Sequence, residues 1–203
     1  MGETEALTRM TDPLAPAPPP APSAGPSGTT GLVYADVPNR AIAYIIDAII
    51  LGVIFTVIAI VLAGIGLATS TIDLNNGTFT YNYLGGIIQA LFGLAVSGGY
   101  FIYTWTRMRA TVGMRILGMQ VGNAGDGKTL TTDQAVRRWL ALGAPFSIAQ
   151  AFNPFPLLGI VIGLASLAWF FYLLYTTYSS PTKQGFHDVF ANTMVVKAVR
   201  TVS

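Results

Sequence analysis

The chain has 203 residues, of which 52% are hydrophobic and 10% charged, with a formal net charge of +2. A soluble domain carries about 25% charged residues, so this composition excludes an ordinary soluble domain, and the small net charge excludes nucleic-acid binding by bulk positive charge. With no cysteine and a single histidine, His187, disulfides and thiolate chemistry are excluded and a histidine-built metal site lacks ligands.

Residues 1–34 contain Pro13, Pro16, Pro18, Pro19, Pro20, Pro22 and Pro26 among Ala, Ser, Gly and Thr. Such a segment has few backbone donors and little to bury, which predicts a disordered or polyproline tail. Its acidic start (Glu3, Glu5), with no apolar core before residue 41, is unlike a secretory signal.

Four apolar stretches follow, at about 41–68, 84–105, 132–152 and 157–178. They predict an all-α integral membrane protein with about four transmembrane helices, since about 20 apolar residues cross the hydrocarbon core. The first stretch is longer than that, so tilt or a protruding end is expected. Between the first two, Ile72 and Leu74 alternate up to Asn76-Gly77, followed by Phe79 and Tyr81; this is a hairpin signal around a type I′ turn. Asn76-Gly77-Thr78 also has the form of a glycosylation acceptor. The third stretch is the weakest, because its apolar part, Trp139 to Phe152, covers only about 21 Å: either it spans with the help of the amphipathic turn from Thr132, or it is thinned or kinked near Pro145. Thr131 with Gln134 reads as a capping box opening that helix, and Asn153-Pro154-Phe155-Pro156 as its end. Tyr100, Tyr103 and Trp105 mark the interfacial end of the second span, and Trp169, Tyr172, Tyr175 and Tyr178 that of the last.

The loop 106–138 holds Arg107, Arg109, Arg115, Lys128, Arg137 and Arg138, and Lys183, Lys197 and Arg200 follow the last span. The 70–83 loop and the Asn153–Pro156 turn hold no Lys or Arg. The positive-inside rule then puts both termini and the long loop in the cytoplasm, as four spans require, with the protein in the inner (plasma) membrane.

Asp47 is the acidic side chain placed well inside a span. An ionised Asp at mid-helix costs roughly 2.5–3.5 kcal/mol on insertion scales, so it is expected to be paired inside the protein or to hold an ion or proton. Arg40, seven residues earlier, shares its helix face. Arg40 leans away from Asp47, however, so a third group is expected to bridge them: Asp188, His187 or Arg107. Gly122 to Thr129 fits the phosphate-loop pattern GxxxxGK[ST], but the helix cap falls later, at Thr131, and a loop this short has no room for the parallel sheet such a loop needs. An Asp126-Gly127 turn in an interfacial hairpin is expected there instead. Gly159-x-x-x-Gly163, with Gly93, Ser97 and Gly98, offers small faces either for a partner helix or for packing within the chain.

Three segments together carry a resemblance. Arg40-Ala-Ile-Ala-Tyr-Ile-Ile-Asp47, Thr111-Val-Gly113-Met-Arg115-Ile-Leu-Gly118-Met-Gln-Val121 and His187-Asp188-Val-Phe-Ala-Asn-Thr193-Met-Val195-Val196 resemble, in this order, motifs of the RDD family of bacterial membrane proteins. The resemblance covers about residues 35–198, leaving 199–203 as a short tail, and makes Asp188 the second aspartate. The family's segment usually has Lys where Met114 stands. The proline-rich tail is similar to that of proline-rich membrane antigens. The resemblance implies a polar cluster of Arg40, Asp47, Asp188 and His187, a cytoplasmic motif of Thr111, Gly113, Arg115 and Gly118, and a suggestion of solute or cation transport.

Without a nucleophile–base pair or metal set, no catalytic residue, metal or cofactor is assigned. The expected function is a non-enzymatic accessory subunit that docks onto a larger membrane complex or self-associates within the bilayer. The alternative is a small-solute or cation/proton transporter working as an oligomer.

Overall fold

The computed structural model describes residues 33–152 and 155–197. Residues 1–32 of the tail expected over 1–34, the Asn153–Pro154 part of the expected break and residues 198–203, with the short tail expected at 199–203, lie outside them.

Helix α1 runs Val37–Gly64, 28 residues, with Pro38 in its first turn, where a missing N–H costs nothing. It closes on a Gly66 N–H to Ala63 carbonyl bond of 3.0 Å, with Gly66 at φ +81°. Strands β1 (Ser70–Asp73) and β2 (Thr78–Tyr81) form the expected antiparallel hairpin. Its turn is not type I′: four residues separate Asp73 from its partner Thr78, and Gly77 alone takes a positive φ. The Asp73 carboxylate builds this longer turn, accepting from the Asn75 amide (2.9 Å) and the Asn76 side chain (2.8 Å).

Helix α2 (Tyr83–Tyr103) is capped by the Asn82 side chain, which accepts from the Gly85 amide, and runs into a π turn over Thr104–Met108. The left-handed Arg109 (φ 57°) ends it. A short helix α3 (Val112–Ile116) and strand β3 (Met119–Asn123) follow, then α4 (Thr132–Leu142) and α5 (Ala144–Ala151). The long helix α6 (Pro156–Ser179), the short α7 (Phe186–Phe190) and strand β4 (Thr193–Lys197) complete the described chain.

Among the described residues, three helical stretches are long and apolar enough to cross a membrane: Val37–Gly64, Tyr83–Met108 and Leu157–Ser179. The stretch at 132–152 forms two helices divided at Gly143, next to Pro145, where a kink was one of the two expectations. Its first half has the expected capping box at Thr131 and Gln134, but also carries Asp133, Arg137 and Arg138. The division has a local cause. Pro145 has no N–H to give the Ala141 carbonyl four residues back, and the Trp169 indole of α6 donates to that carbonyl at 2.8 Å.

The chain is not all-α either. Strand β3 pairs antiparallel with β4, Val121 opposite Val195, rather than with a local partner, so the hairpin expected at Asp126-Gly127 does not form. The turn itself does: Gly127 has φ +67° and its N–H bonds the Asn123 carbonyl at 2.8 Å. Val33–Ala35, of which Val33 and Tyr34 were placed in the tail from sequence, extends this sheet. Tyr34 bridges to Val196, and the Ala35 amide bonds the Val195 carbonyl at 3.0 Å.

The buried core lies towards the N-terminal end of α1, where the spans meet the shorter elements. Ala35, Ala43, Trp105, Met119, Val121 and Val195 are among its members. It joins the first third of α1 and the last turns of α2 to α3, α4 and the β3–β4 sheet, which form a collar with α7. This use of α1's first third accounts for its excess length.

Candidate functional site: a buried ion cluster in the collar

Asp188 is fully buried near the start of α7, where its Oδ2 accepts from the Gly185 amide at 3.2 Å. Arg40 of α1 donates Nη1 to the same oxygen at 2.6 Å. Arg138 of α4 donates to Oδ1 and, at 2.6 Å, to the Thr193 hydroxyl of β4. Arg40 also donates Nε to the Ala35 carbonyl (3.2 Å) and Nη2 to the Val195 carbonyl (3.3 Å). One carboxylate thus ties together α1, α4, α7 and β4. Arg138, 1% exposed, lies over the Trp105 ring, 5.1 Å from its centroid, so an aromatic face covers the charge in place of water.

Burial works to raise the Asp188 pKa, but the guanidiniums of Arg138 and Arg40 outweigh it and hold the carboxyl well below the usual range. His187, also buried, has its Nε2 3.5 Å from Asp188 Oδ2. Burial pushes its pKa down to about 4; Asp188 opposes this, and Arg138 and Arg40 add to it. The imidazole is therefore neutral near pH 7 and adds no third cation.

Asp47 forms a second, separate centre. Its Oδ1 accepts from the Tyr100 hydroxyl at 2.6 Å and from the Gly113 amide at 2.8 Å. No described residue donates a hydrogen bond to its Oδ2. The expected bridge to Arg40 through a third side chain is not what forms: Asp188 and His187 cluster with Arg40, while Asp47 turns to α2 and α3. Arg107 is exposed and belongs to neither centre. A cavity of about 60 Å³ lies between the two centres, bordered by Arg40, Tyr44, Asp47, Arg138, Phe170 and His187. At about 10–15 Å³ per water, it has room for a few waters or a small ion.

Thr111 caps α3, accepting from the Met114 amide at 3.2 Å. Gly113 has to be glycine, because a Cβ there would drive into the Ala43 carbonyl of α1. Gly118 turns the chain from α3 into β3 at φ +66°. Arg115 is exposed and takes no part in either centre, whereas Met114 is buried and borders the cavity. Gly163 is exposed, with open space where a Cβ would stand, and Gly159 is half-buried. Of the small residues on α2, Gly98 faces the Trp139 ring and Ser97 bonds Ser147 at 3.0 Å, while Gly93 meets nothing.

Arg138, Thr193 and Tyr100 were named in sequence only as a loop cation, a motif residue and an interfacial aromatic, and not as members of a polar centre. Arg138 had a legible signal. In α4 it shares a face with the buried Gln134, Ala135 and Ala141, and a charge on a buried face asks for a partner.

In comparisons with known proteins, the model described as the RDD family matches residues 34–192, well over half of the chain. No curated protein and no solved structure matches it.

Proposed function

We propose that this chain, which belongs to the RDD family, is a non-enzymatic membrane subunit whose collar is a structural lock and whose working surface is the outer face of its helices. The observation that carries this reading is how the ion cluster is tied in: Asp188 holds both guanidiniums, Arg40 is also bonded to the Ala35 and Val195 carbonyls, and Arg138 to the Thr193 hydroxyl. Groups so engaged hold elements together and are not free to carry a substrate. The surface left over is large. Only 17% of the apolar stretch of α1 and 11% of that of α6 is buried within the chain. Gly52, Gly93 and Gly163 have open space beside them, where a helix of another membrane protein or of a second copy can approach closely.

The test is purification from its native membrane in mild detergent, with mass-spectrometric identification of what accompanies it. A stoichiometric membrane partner lost on Gly163→Leu supports docking. A chain that stays alone in mild detergent and drives cation flux after reconstitution contradicts it.

Asp47 favours a second reading, a cation/proton or small-solute transporter working as an oligomer. Its unengaged Oδ2 beside a cavity is where a small cation would sit. On this reading Asp47→Asn abolishes flux in reconstituted vesicles while the chain remains folded. In either case the basic collar faces the cytoplasm of a bacterial inner membrane, and the proline-rich segment acts as a tether there.

A further inference from the structure

The outer rim of the collar is apolar, although its inner side holds the ion cluster. On α7, His187 and Asp188 are buried, yet Val189 is 65% and Phe190 49% exposed. On α3, Ile116 is 65% exposed beside the exposed Arg115. On the first turns of α1, Ile42 and Ile45 also face outward.

These residues stand against the flanks of the spans, not beyond their ends. The Phe186 amide bonds the Thr176 hydroxyl at 3.1 Å. Its ring lies 5.6 Å from that of Trp169 and 6.0 Å from that of Tyr172, and stacks on Phe190 at 6.0 Å. Trp169 lies about 15 Å back from the end of α6, so α7 doubles back along the span. On the exposed face of α6, Tyr172 meets the partly exposed Phe186 of α7, so the two apolar surfaces join there. On the other flank, α3 packs on α1 at Ala43 and Asp47, about 9–15 Å in from Val37.

We infer that the collar is sunk into the leaflet at its end of the bilayer, with Ile116, Val189 and Phe190 in contact with lipid and the ion cluster held at the depth of the head groups. The occupant of this surface is lipid because it continues the apolar faces of the spans. Its charged neighbours, Arg107 and Arg115, are exposed cations of the kind anionic head groups attract. At that depth water is scarce, and the cluster pairs the Asp188 carboxylate with two guanidiniums inside the protein.

Because the chain has no cysteine, single cysteines can be placed in the full-length protein without further changes. Spin labels at Ile116→Cys, Val189→Cys and the loop control Lys128→Cys, whose native side chain is 82% exposed, are read in vesicles of phosphatidylcholine and phosphatidylglycerol. Power saturation compares oxygen with a water-soluble nickel chelate. Labels at 116 and 189 are expected to meet oxygen several-fold more readily than nickel, and the label at 128 the reverse. Nickel access at 116 and 189 equal to that at 128 would place the collar in water and overturn the inference. Shielding from both reagents would mean that protein covers the rim, and would equally overturn it. Phe190→Cys, on the same exposed face, replaces Val189→Cys if that variant does not fold.

Discussion

Asp47 shows how the balance works at a single residue. Its insertion cost of roughly 2.5–3.5 kcal/mol is met by two hydrogen bonds to a charged acceptor, each worth about 1.5–3 kcal/mol. The bonds bring the carboxylate to break-even or better, and they join α1 to α2 and α3. Asp47→Asn is expected to cost about 1.5–3 kcal/mol in detergent unfolding. Gly113→Ala is expected to cost a similar amount, since its Cβ forces α3 off the Ala43 carbonyl and the amide off Asp47. The double variant is then expected to lose clearly less than the two losses added together. Strict additivity would mean that the bond contributes nothing.

His187 gives the collar a pH dependence. Its folded pKa of about 4 lies below the usual 6.5. Between those values the unfolded chain binds a proton that the folded chain does not, so stability is full above about pH 6.5 and falls as pH drops toward 4. The slope is at most about 1.4 kcal/mol per pH unit for one proton. The depressed Asp188 acts in the same direction at lower pH, its contribution lost only below the ordinary carboxylate range. A series of unfolding midpoints from pH 7.5 to 4.5 checks this: the wild type is expected to lose stability across it, and His187→Asn to lose markedly less. Asp188 was readable in sequence through the motif that contains it. Its partner Arg138 stood among six basic residues of one polar loop, and only its helix face, shared with Gln134, Ala135 and Ala141, set it apart.

At the scale of elements, the sequence spoke clearly wherever one local rule governed. The length and apolar run of α1, the capping box of α4 and the β1–β2 hairpin all follow from neighbours in the chain. The capping box is the easiest to weigh: Thr131→Val is expected to cost about 1 kcal/mol, read as a lower unfolding midpoint, and no change would mean that Gln134 alone holds the helix start. Contacts between distant residues decided the rest. The break in the third stretch follows from Pro145 itself, but the group that takes the freed carbonyl, Trp169, lies 28 residues away and was out of reach. Strand β3 finds its partner in β4, beyond α4, α5 and the long helix α6, so only a local hairpin was visible from the turn residues. The four-residue turn at Asp73 depended on side-chain acceptors that the Asn-Gly pair concealed.

Over the whole molecule, the buried core and the buried charges coincide in the collar, while the spans present most of their surface outward. This division is unusual for a soluble fold but natural in lipid, where apolar helices gain little from packing on one another. A firm collar can hold three lightly packed helices in place and leave their faces open to lipid or to other membrane helices. The account therefore depends on the collar being held by its ions. A double-mutant cycle on Arg138 and Asp188, using Arg138→Met, Asp188→Asn and both together, measures this through unfolding free energies in detergent. Each single change is expected to cost about 3–5 kcal/mol, because it leaves a buried charge without its partner. The pair is expected to recover at least about 2 kcal/mol of the summed loss. Single losses under about 1 kcal/mol, or a coupling within about 0.5 kcal/mol of zero, would contradict the claim that this cluster holds the fold together.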